Sequence, residues 1–398
     1  MKTAVIAQPA TAELASPASP SPATSRPRSL EPAPPLSVQD DVSLPNPASS
    51  TAGISLLERL EGICLDQGLS GLAGRLDDMV GFVATDLAAF ELEFAQLPRR
   101  PQRVGLAAGH LLDVGGKRLR PLCLALASRI GSGFNERVLD LAIAIELVHS
   151  ATLLHDDVVD LADHRRGKAT ARAIYGNAAS IFAGDWLLIE ALRRVRRADY
   201  PVLLGELFDV IEEMIFAESL QLENRGRLAT DRKTYFQVVE GKTASVFRWA
   251  LFAGSVAGGL EPKQQQALST FGQQLGITFQ AVDDLLDLTG DPDTTGKDLF
   301  TDLREGKMTL PLIFALEREE AARGAVEAIL ALPDEAPVPS ALGREVIDVL
   351  RRTDAVADTL ELARHHSRQA IAALDAVDDG AARRALATVA EAIVDRDL

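Results

Sequence analysis

Five Asp-Asp pairs punctuate the 398-residue sequence, beginning at Asp40, Asp77, Asp156, Asp283 and Asp378. Only two carry a further aspartate four residues after the first. Asp156-Asp157 is followed by Asp160 and Asp283-Asp284 by Asp287, whereas the other pairs have Leu44, Gly81 and Ala382 there. A lone acidic pair is usually a solvated helix face or a cap. In a helix, residues i and i+4 share one face about 5–6 Å apart, and like charges placed so are destabilising. The preceding stretches, Ala151-Thr152-Leu153-Leu154-His155 and Phe279-Gln280-Ala281-Val282, are mostly apolar, so an unpaired carboxylate there is costly. A cation must offset the charge. Arginine-rich salt bridges would do so structurally. Hard divalent ions would do so chemically, because Mg²⁺ takes one or two carboxylates, several waters and substrate phosphates.

Basic residues cluster around both motifs although the formal net charge is −16. Gly115-Gly116-Lys117-Arg118-Leu119-Arg120-Pro121 precedes the first, Arg165-Arg166-Gly167-Lys168 follows it, Gly241-Lys242-Thr243 lies between the two, and Lys297 and Lys307 follow the second. Guanidinium forks and ammonium groups suit diphosphate oxygens. The Gly-Lys-Thr is not a nucleotide-binding loop, because that loop needs a glycine where Phe236 stands and a preceding strand. No HExxH is present, and the six histidines have no metal-ligand spacing.

The elements that must carry these groups are helices. Leu and Ala are abundant, aromatics make up only 5%, and strand-like alternation is nearly absent. Apolar residues recur at i, i+3, i+4 and i+7 over Leu69–Leu97, Lys117–Ile130, Arg137–Asp157, Ala179–Arg196, Leu203–Asn224, Thr234–Gly254 and Gln264–Leu288. The expectation is an all-α fold, one large helical bundle over 70–398. Residues 1–50 hold half of the chain's 20 prolines and read as a Pro/Ala/Ser-rich disordered tail; 51–69 read as a linker or an extra helix. Nucleic acid and anionic membrane surfaces repel so negative a chain at long range, and no nucleic-acid partner is expected. No run of 18 apolar residues marks an integral membrane segment. Cys64 and Cys123, in apolar contexts without CxxC spacing, read as buried thiols in a cytoplasmic protein.

Together these stretches resemble the trans-isoprenyl diphosphate synthases, or polyprenyl synthetases. The resemblance rests on GGKRLRP at 115–121, LLHDDVVD at 153–160, RRGKAT at 165–170, GNAASIFAGDWLL at 176–188, GKTAS at 241–245, FQAVDDLLD at 279–287, GKD at 296–298 and EGKMTLPL at 305–312. It is absent from the first 50 residues and loose at the C-terminus.

The resemblance implies an isoprenoid-synthase bundle around a central cavity. It also implies condensation of isopentenyl diphosphate with an allylic diphosphate, and a homodimer. Asp156, Asp157, Asp160, Asp283, Asp284 and Asp287 would hold three Mg²⁺ ions, with Asp156, Asp160 and Asp283 the first candidates for direct ligands. Arg165, Lys242 and Lys297 would contact the allylic diphosphate; Lys117, Arg120, His149 and Arg166 would bind isopentenyl diphosphate. Thr243 and Gln280 would line the reacting carbons, and Lys307 would support closure. Ionisation of the allylic carbon–oxygen bond leaves a cation that the second substrate's double bond attacks, and a proton is then lost. Cations at the site stabilise the leaving diphosphate.

The growing chain would run away from Asp156 along its own helix. Ala151 and Thr152 sit about one turn below it, roughly 6–7 Å at 1.5 Å per residue, with Val148 on the next turn. Short-chain members carry an aromatic at that first turn and often a two-residue insertion in the first motif. Ala151 and the missing insertion favour a product of C30 or longer over a C15–C20 synthase. A terpene cyclase would replace the second motif, and a non-catalytic synthase subunit would lose one of the two.

Overall fold

The computed structural model describes residues 70–97, 99–165, 167–290, 299–333 and 336–395, apart from the side chains of 70–73. The tail at 1–50 and the linker at 51–69 lie outside the described residues. Sixteen α-helices and one short hairpin make up the described regular structure, with a π-turn and a single 3₁₀ turn.

Helix α1 spans Ser70–Ala95, α2 Arg103–Asp113, α3 Leu119–Arg129 and α4 Glu136–Val159. The Asn135 side chain caps α4, accepting from the Arg137 and Val138 N–H groups at 3.0 and 3.1 Å, which satisfies two donors the first turn leaves unpaired. After α4 the chain makes an antiparallel hairpin, β1 His164–Arg165 and β2 Lys168–Ala169, with Arg165 opposite Lys168. Gly167 takes the positive φ (+72°) that its turn requires. Then follow α5 Ala171–Tyr175, α6 Asn177–Ala198, α7 Pro201–Glu223 and α8 Arg232–Val239.

The stretch Thr234–Gly254, expected as one helix, contains a π-turn at Glu240–Ala244 before α9 (Ser245–Ala257). One wide turn shifts the register, and such bulges gather at functional sites. Two glycines let neighbouring helices close on it. A Cβ on Gly241 would stand 2.9 Å from the Glu213 carbonyl oxygen of α7, and one on Gly276 of α10 would stand 2.4 Å from the Ala244 Cα. The Ser245 hydroxyl donates to the Gly241 carbonyl at 2.6 Å.

Helix α10 spans Pro262–Thr289, and α11 Thr301–Arg304, α12 Leu310–Arg318, α13 Ala322–Leu330, α14 Ser340–Arg352, α15 Ala355–Ala373 and α16 Ala381–Val394 complete the bundle. Helix α4 packs on α6 and α3, and α10 on α9 and α15. A large apolar core runs through these helices, with Trp249, Phe247, Phe271 and Phe90 its largest fully buried side chains. A second core lies under α11–α14. Helix α4 alone among the described helices is long and apolar enough to cross a membrane by length and composition, but Asp140, Glu146 and His149 interrupt it and 67% of its apolar window is buried against its neighbours. Its hydrophobicity belongs to the centre of the bundle.

Candidate active site

Both aspartate motifs occupy the ends of long core helices. The first closes α4, where the Asp160 N–H still donates to the Asp156 carbonyl at 2.8 Å. The second lies in the last two turns of α10. The π-turn and the segment before α12 join them. Lys242 Nζ lies 3.4 Å from Asp156 Oδ2. The adjacent Thr243 hydroxyl donates to Gln280 Oε1 at 2.9 Å, one turn before Asp283. Lys307 Nζ donates to Asp160 Oδ2 at 2.9 Å. A cavity of about 140 Å³ is bordered by Lys242, Thr243, Gln280, Asp284, Lys307 and Thr309.

The structure divides the six aspartates into two groups. Asp157 is 1% exposed and paired with Arg165, whose Nε donates to Oδ1 at 2.9 Å. Burial raises its carboxyl pKa against the pull of Arg165. Asp284 accepts from the Tyr235 hydroxyl (2.7 Å), Gln280 Nε2 (2.8 Å) and the Leu310 N–H (3.5 Å). Burial pushes this carboxyl up to about 7, and the charges of Asp302 and Asp283 add to the shift while Gln280 and Tyr235 oppose it. Asp287 accepts from the backbone N–H groups of Thr301 and Asp302 at 3.0 and 3.2 Å, fixing the chain's return after α10. These three carboxylates face inward onto protein donors. Asp156, Asp160 and Asp283 remain on the open side, with side chains 17% and 10% exposed for the first two and Asp283 half-buried.

The positive groups divide similarly. Lys242 also hydrogen-bonds Glu218, and Gln221 Oε1 at 3.1 Å, both on α7. Lys307 also holds Glu305 Oε2 at 2.6 Å, and Arg225 Nη1 lies 3.7 Å from Asp160. Burial alone would lower both lysine pKa values. The carboxylates Asp156 and Glu218 raise that of Lys242, and Glu305 and Asp160 raise that of Lys307, so both ammoniums stay charged.

Arg120 stacks over the Phe247 ring at 4.8 Å. Burial lowers its pKa, against Glu146, Cys123 and Asp283. Arg118 is a structural residue, buried between Glu146 (2.6 Å) and Glu91 (3.1 Å). Lys117 and His149 are half-buried. Arg166 and Lys297 lie outside the described residues. Among the described residues, Asp157 Oδ2, Arg120 Nε and Thr309 Oγ1 are buried without a hydrogen-bond partner. Such atoms in a native site call for an ion, a water or a ligand.

Val148 and Ala151 are buried on α4, and Thr152 is half-buried, its hydroxyl donating to the His149 carbonyl at 2.8 Å. Cys123 is a free buried thiol pushed up to about 12 by burial; Cys64 lies outside the described residues.

Glu218, Gln221, Tyr235, Arg225 and Glu305 were not singled out in the sequence. Glu218 and Gln221 stand three apart on α7, and Glu305 is two residues from Lys307. Only the last gave a signal, as part of EGKMTLPL.

Among the described residues, no three His, Cys, Asp or Glu side chains form a closed metal cage. Of the open carboxylates, Asp156 and Asp160 are engaged by the ammonium groups of Lys242 and Lys307.

An all-helical bundle that brings two aspartate motifs and two lysines together at the ends of its core helices defines the isoprenoid-synthase class, and the chain is a prenyltransferase of that class. It belongs to the polyprenyl synthetase family, whose description matches residues 101–341. It is 34% identical to the heptaprenyl diphosphate synthase component 2 of Geobacillus stearothermophilus over 81% of this chain and 99% of that one. It is also 34% identical to the octaprenyl diphosphate synthase of Escherichia coli over 76% and 93%. Among solved structures, it resembles a polyprenyl synthase of Caulobacter crescentus complexed with calcium and isoprenyl diphosphate (TM-score 0.74, 34% identity, 80% and 97% covered).

Proposed function

We propose that this chain condenses isopentenyl diphosphate with an allylic diphosphate, head to tail, into an all-trans polyprenyl diphosphate of C30 or longer. The supporting observation is the convergence of Asp156, Asp160, Lys242, the Thr243–Gln280 pair and Lys307 at the mouths of α4 and α10.

The donor set suits Mg²⁺. Asp156, Asp160 and Asp283 offer hard oxygen ligands on the open side, few enough for an ion that keeps its waters and brings phosphate. Asp157, held by Arg165, and Asp284 and Asp287, held by Tyr235, Gln280 and backbone N–H groups, would complete the six carboxylates of the metal set. Bound Mg²⁺ would supply charge stabilisation for the departing diphosphate. Lys242 and Arg165 add charge-assisted hydrogen bonds to the same group, with Lys297 in the same role. Lys117, Arg120, His149 and Arg166 would hold isopentenyl diphosphate. The Thr243 hydroxyl oxygen and the Gln280 carboxamide would face the allylic carbons, and the apolar walls keep water from the cation. Binding of three ions is part of the proposal, tested by the metal stoichiometry at saturating allylic thiolodiphosphate.

Small side chains at Ala151 and Thr152 leave the first turn below Asp156 without an aromatic stop, which supports the longer product. A homodimer is part of the same reading. Phe182 and Ile189 on α6, with Phe208, Ile215 and Phe216 on the neighbouring α7, are each half or more exposed. Monomers rarely leave such a patch in water, and a second copy would cover it. Sedimentation of the wild type and of Phe216→Asp tests this. The enzyme is placed in the cytoplasm, where diphosphate substrates and reduced thiols coexist.

The deciding assay incubates purified protein with Mg²⁺, labelled isopentenyl diphosphate and farnesyl diphosphate, followed by chromatography of the dephosphorylated products. A ladder reaching C30 or longer supports the reading. A stop at C20 retains the reaction and refutes the long product. No labelled product from folded protein with any allylic primer refutes the reaction.

A further inference from the structure

Lys242 and Lys307 are arranged alike. Each ammonium bridges one open aspartate of the first motif and one glutamate from outside both motifs: Asp156 and Glu218 for Lys242, Asp160 and Glu305 for Lys307. The bridges are lopsided. Lys242 hydrogen-bonds Glu218 and Gln221 on α7, while Asp156 lies 3.4 Å away. Lys307 is 2.6 Å from Glu305 and 2.9 Å from Asp160. Each lysine therefore leans towards its glutamate.

A divalent ion that takes Asp156 or Asp160 as ligand must displace an ammonium from that carboxylate. Two cations cannot share one carboxylate's open side without mutual repulsion, which at these separations and in a partly dry site is substantial. The displaced ammonium, at the end of a side chain only 24% (Lys242) or 18% (Lys307) exposed, is costly to leave without an anion. Glu218 and Glu305, already in contact with the two ammoniums, are the protein carboxylates placed to receive it.

We infer that Glu218 and Glu305 are positioning residues for the divalent ions: they hold Lys242 and Lys307 to one side, so that Asp156 and Asp160 can exchange an ammonium for a metal. This rests on the proposed function, in which those aspartates are ligands. It goes beyond that reading by assigning metal affinity to two glutamates that touch neither metal nor substrate. With Glu218 neutralised, Lys242 retains Asp156 as its only carboxylate. Metal uptake then has to break that pair without the carboxylate that already holds the ammonium to one side.

The test is Mn²⁺ uptake, read as loss of the free-ion EPR signal, by protein saturated with farnesyl thiolodiphosphate, an unreactive analogue. Glu218→Gln should weaken Mn²⁺ binding roughly tenfold, the size expected when one charge-assisted hydrogen bond is lost from one side of the exchange. In a Lys242→Met background the same Glu218→Gln change should alter Mn²⁺ affinity less than about twofold, since coupling vanishes when the intermediary is gone. A tenfold effect that persists without Lys242 makes Glu218 a direct ligand or a through-space charge and overturns the inference. So does an unchanged affinity in Glu218→Gln. The Glu305→Gln and Lys307→Met cycle repeats the test if the first pair fails to fold. Wild-type protein that takes up no Mn²⁺ with the analogue would overturn the proposed function as well.

Discussion

Asp284 allows a quantitative test of how the second motif is built. Its carboxyl is 2% exposed and is pushed up to about 7 by burial first, with the charges of Asp302 and Asp283 adding to the shift. The unfolded chain ionises this group near its ordinary value of about 3.9. A raised carboxylate pKa means the folded state holds the proton more tightly. Its cost is absent well below pH 4, grows as pH rises, and levels off above the folded pKa. At about 1.4 kcal/mol per pH unit, the cost is roughly 1.5 kcal/mol at pH 5 and about 4 kcal/mol at pH 8. Asp284→Asn removes the ionisation and keeps the shape. Its Oδ1 can accept from Tyr235 and Leu310. Its amide can meet Gln280 if that side chain turns over, because the Thr243 hydroxyl at 2.9 Å accepts as well as donates. Asp284→Asn should therefore gain about 2–3 kcal/mol relative to wild type between pH 5 and pH 8. Urea unfolding of both proteins with EDTA present, at the two pH values, measures this. An identical difference at both pH values would mean that Asp284 ionises normally and that its burial is compensated.

Asp156→Ala should lower kcat by about 10²–10³-fold or more, as for loss of one group aimed at developing charge, with circular dichroism showing an intact fold. Ala151→Phe should shorten the product to C15–C20 in the labelled-ladder assay at a stability cost of about 1–3 kcal/mol from overpacking. Gly241→Val should destabilise by a similar amount, because its side chain meets the Glu213 carbonyl and the Ala217 Cβ at 2.9 and 2.7 Å, and should displace Lys242 and Thr243; thermal unfolding and the allylic KM report the two effects. Arg118→Met should cost about 3–5 kcal/mol in denaturant unfolding, since it leaves Glu146 buried without its partner.

Much of the candidate site was legible because the residues proposed to do the chemistry are unusual for where they stand. Aspartates four apart on an apolar helix face identify themselves by their cost, whatever the fold. The helices that carry them were legible from period alone, and α4, α6, α7 and α10 extend close to their expected limits. Helix α2, Arg103–Asp113, was not read. Its face is built on Gly105 and Gly109, which weaken both propensity and pattern, and a Cβ on Gly105 would stand 2.3 Å from the Arg100 carbonyl oxygen. The π-turn was hidden for a related reason. One wide turn leaves residue types unchanged and alters only the register.

What the sequence could not show is which aspartates face which way. Asp284 and Asp287 look equivalent to Asp157 and Asp160 by spacing, yet both are held by backbone N–H groups from a segment that returns 14 to 26 residues later. A backbone donor has no side-chain signature, so its pairing exists only once the chain has turned back after α10. The same return delivers Lys307 to Asp160, at 147 residues' separation. One segment thus neutralises the second motif from behind with amides and the first from in front with an ammonium. Amides fixed in a backbone cannot leave, so Asp287, and Asp284 together with its closer partners Tyr235 and Gln280, keep their orientation. An ammonium on a four-carbon stem can leave, and under the proposed exchange Asp156 and Asp160 open to an incoming ion once Glu218 and Glu305 receive the lysines.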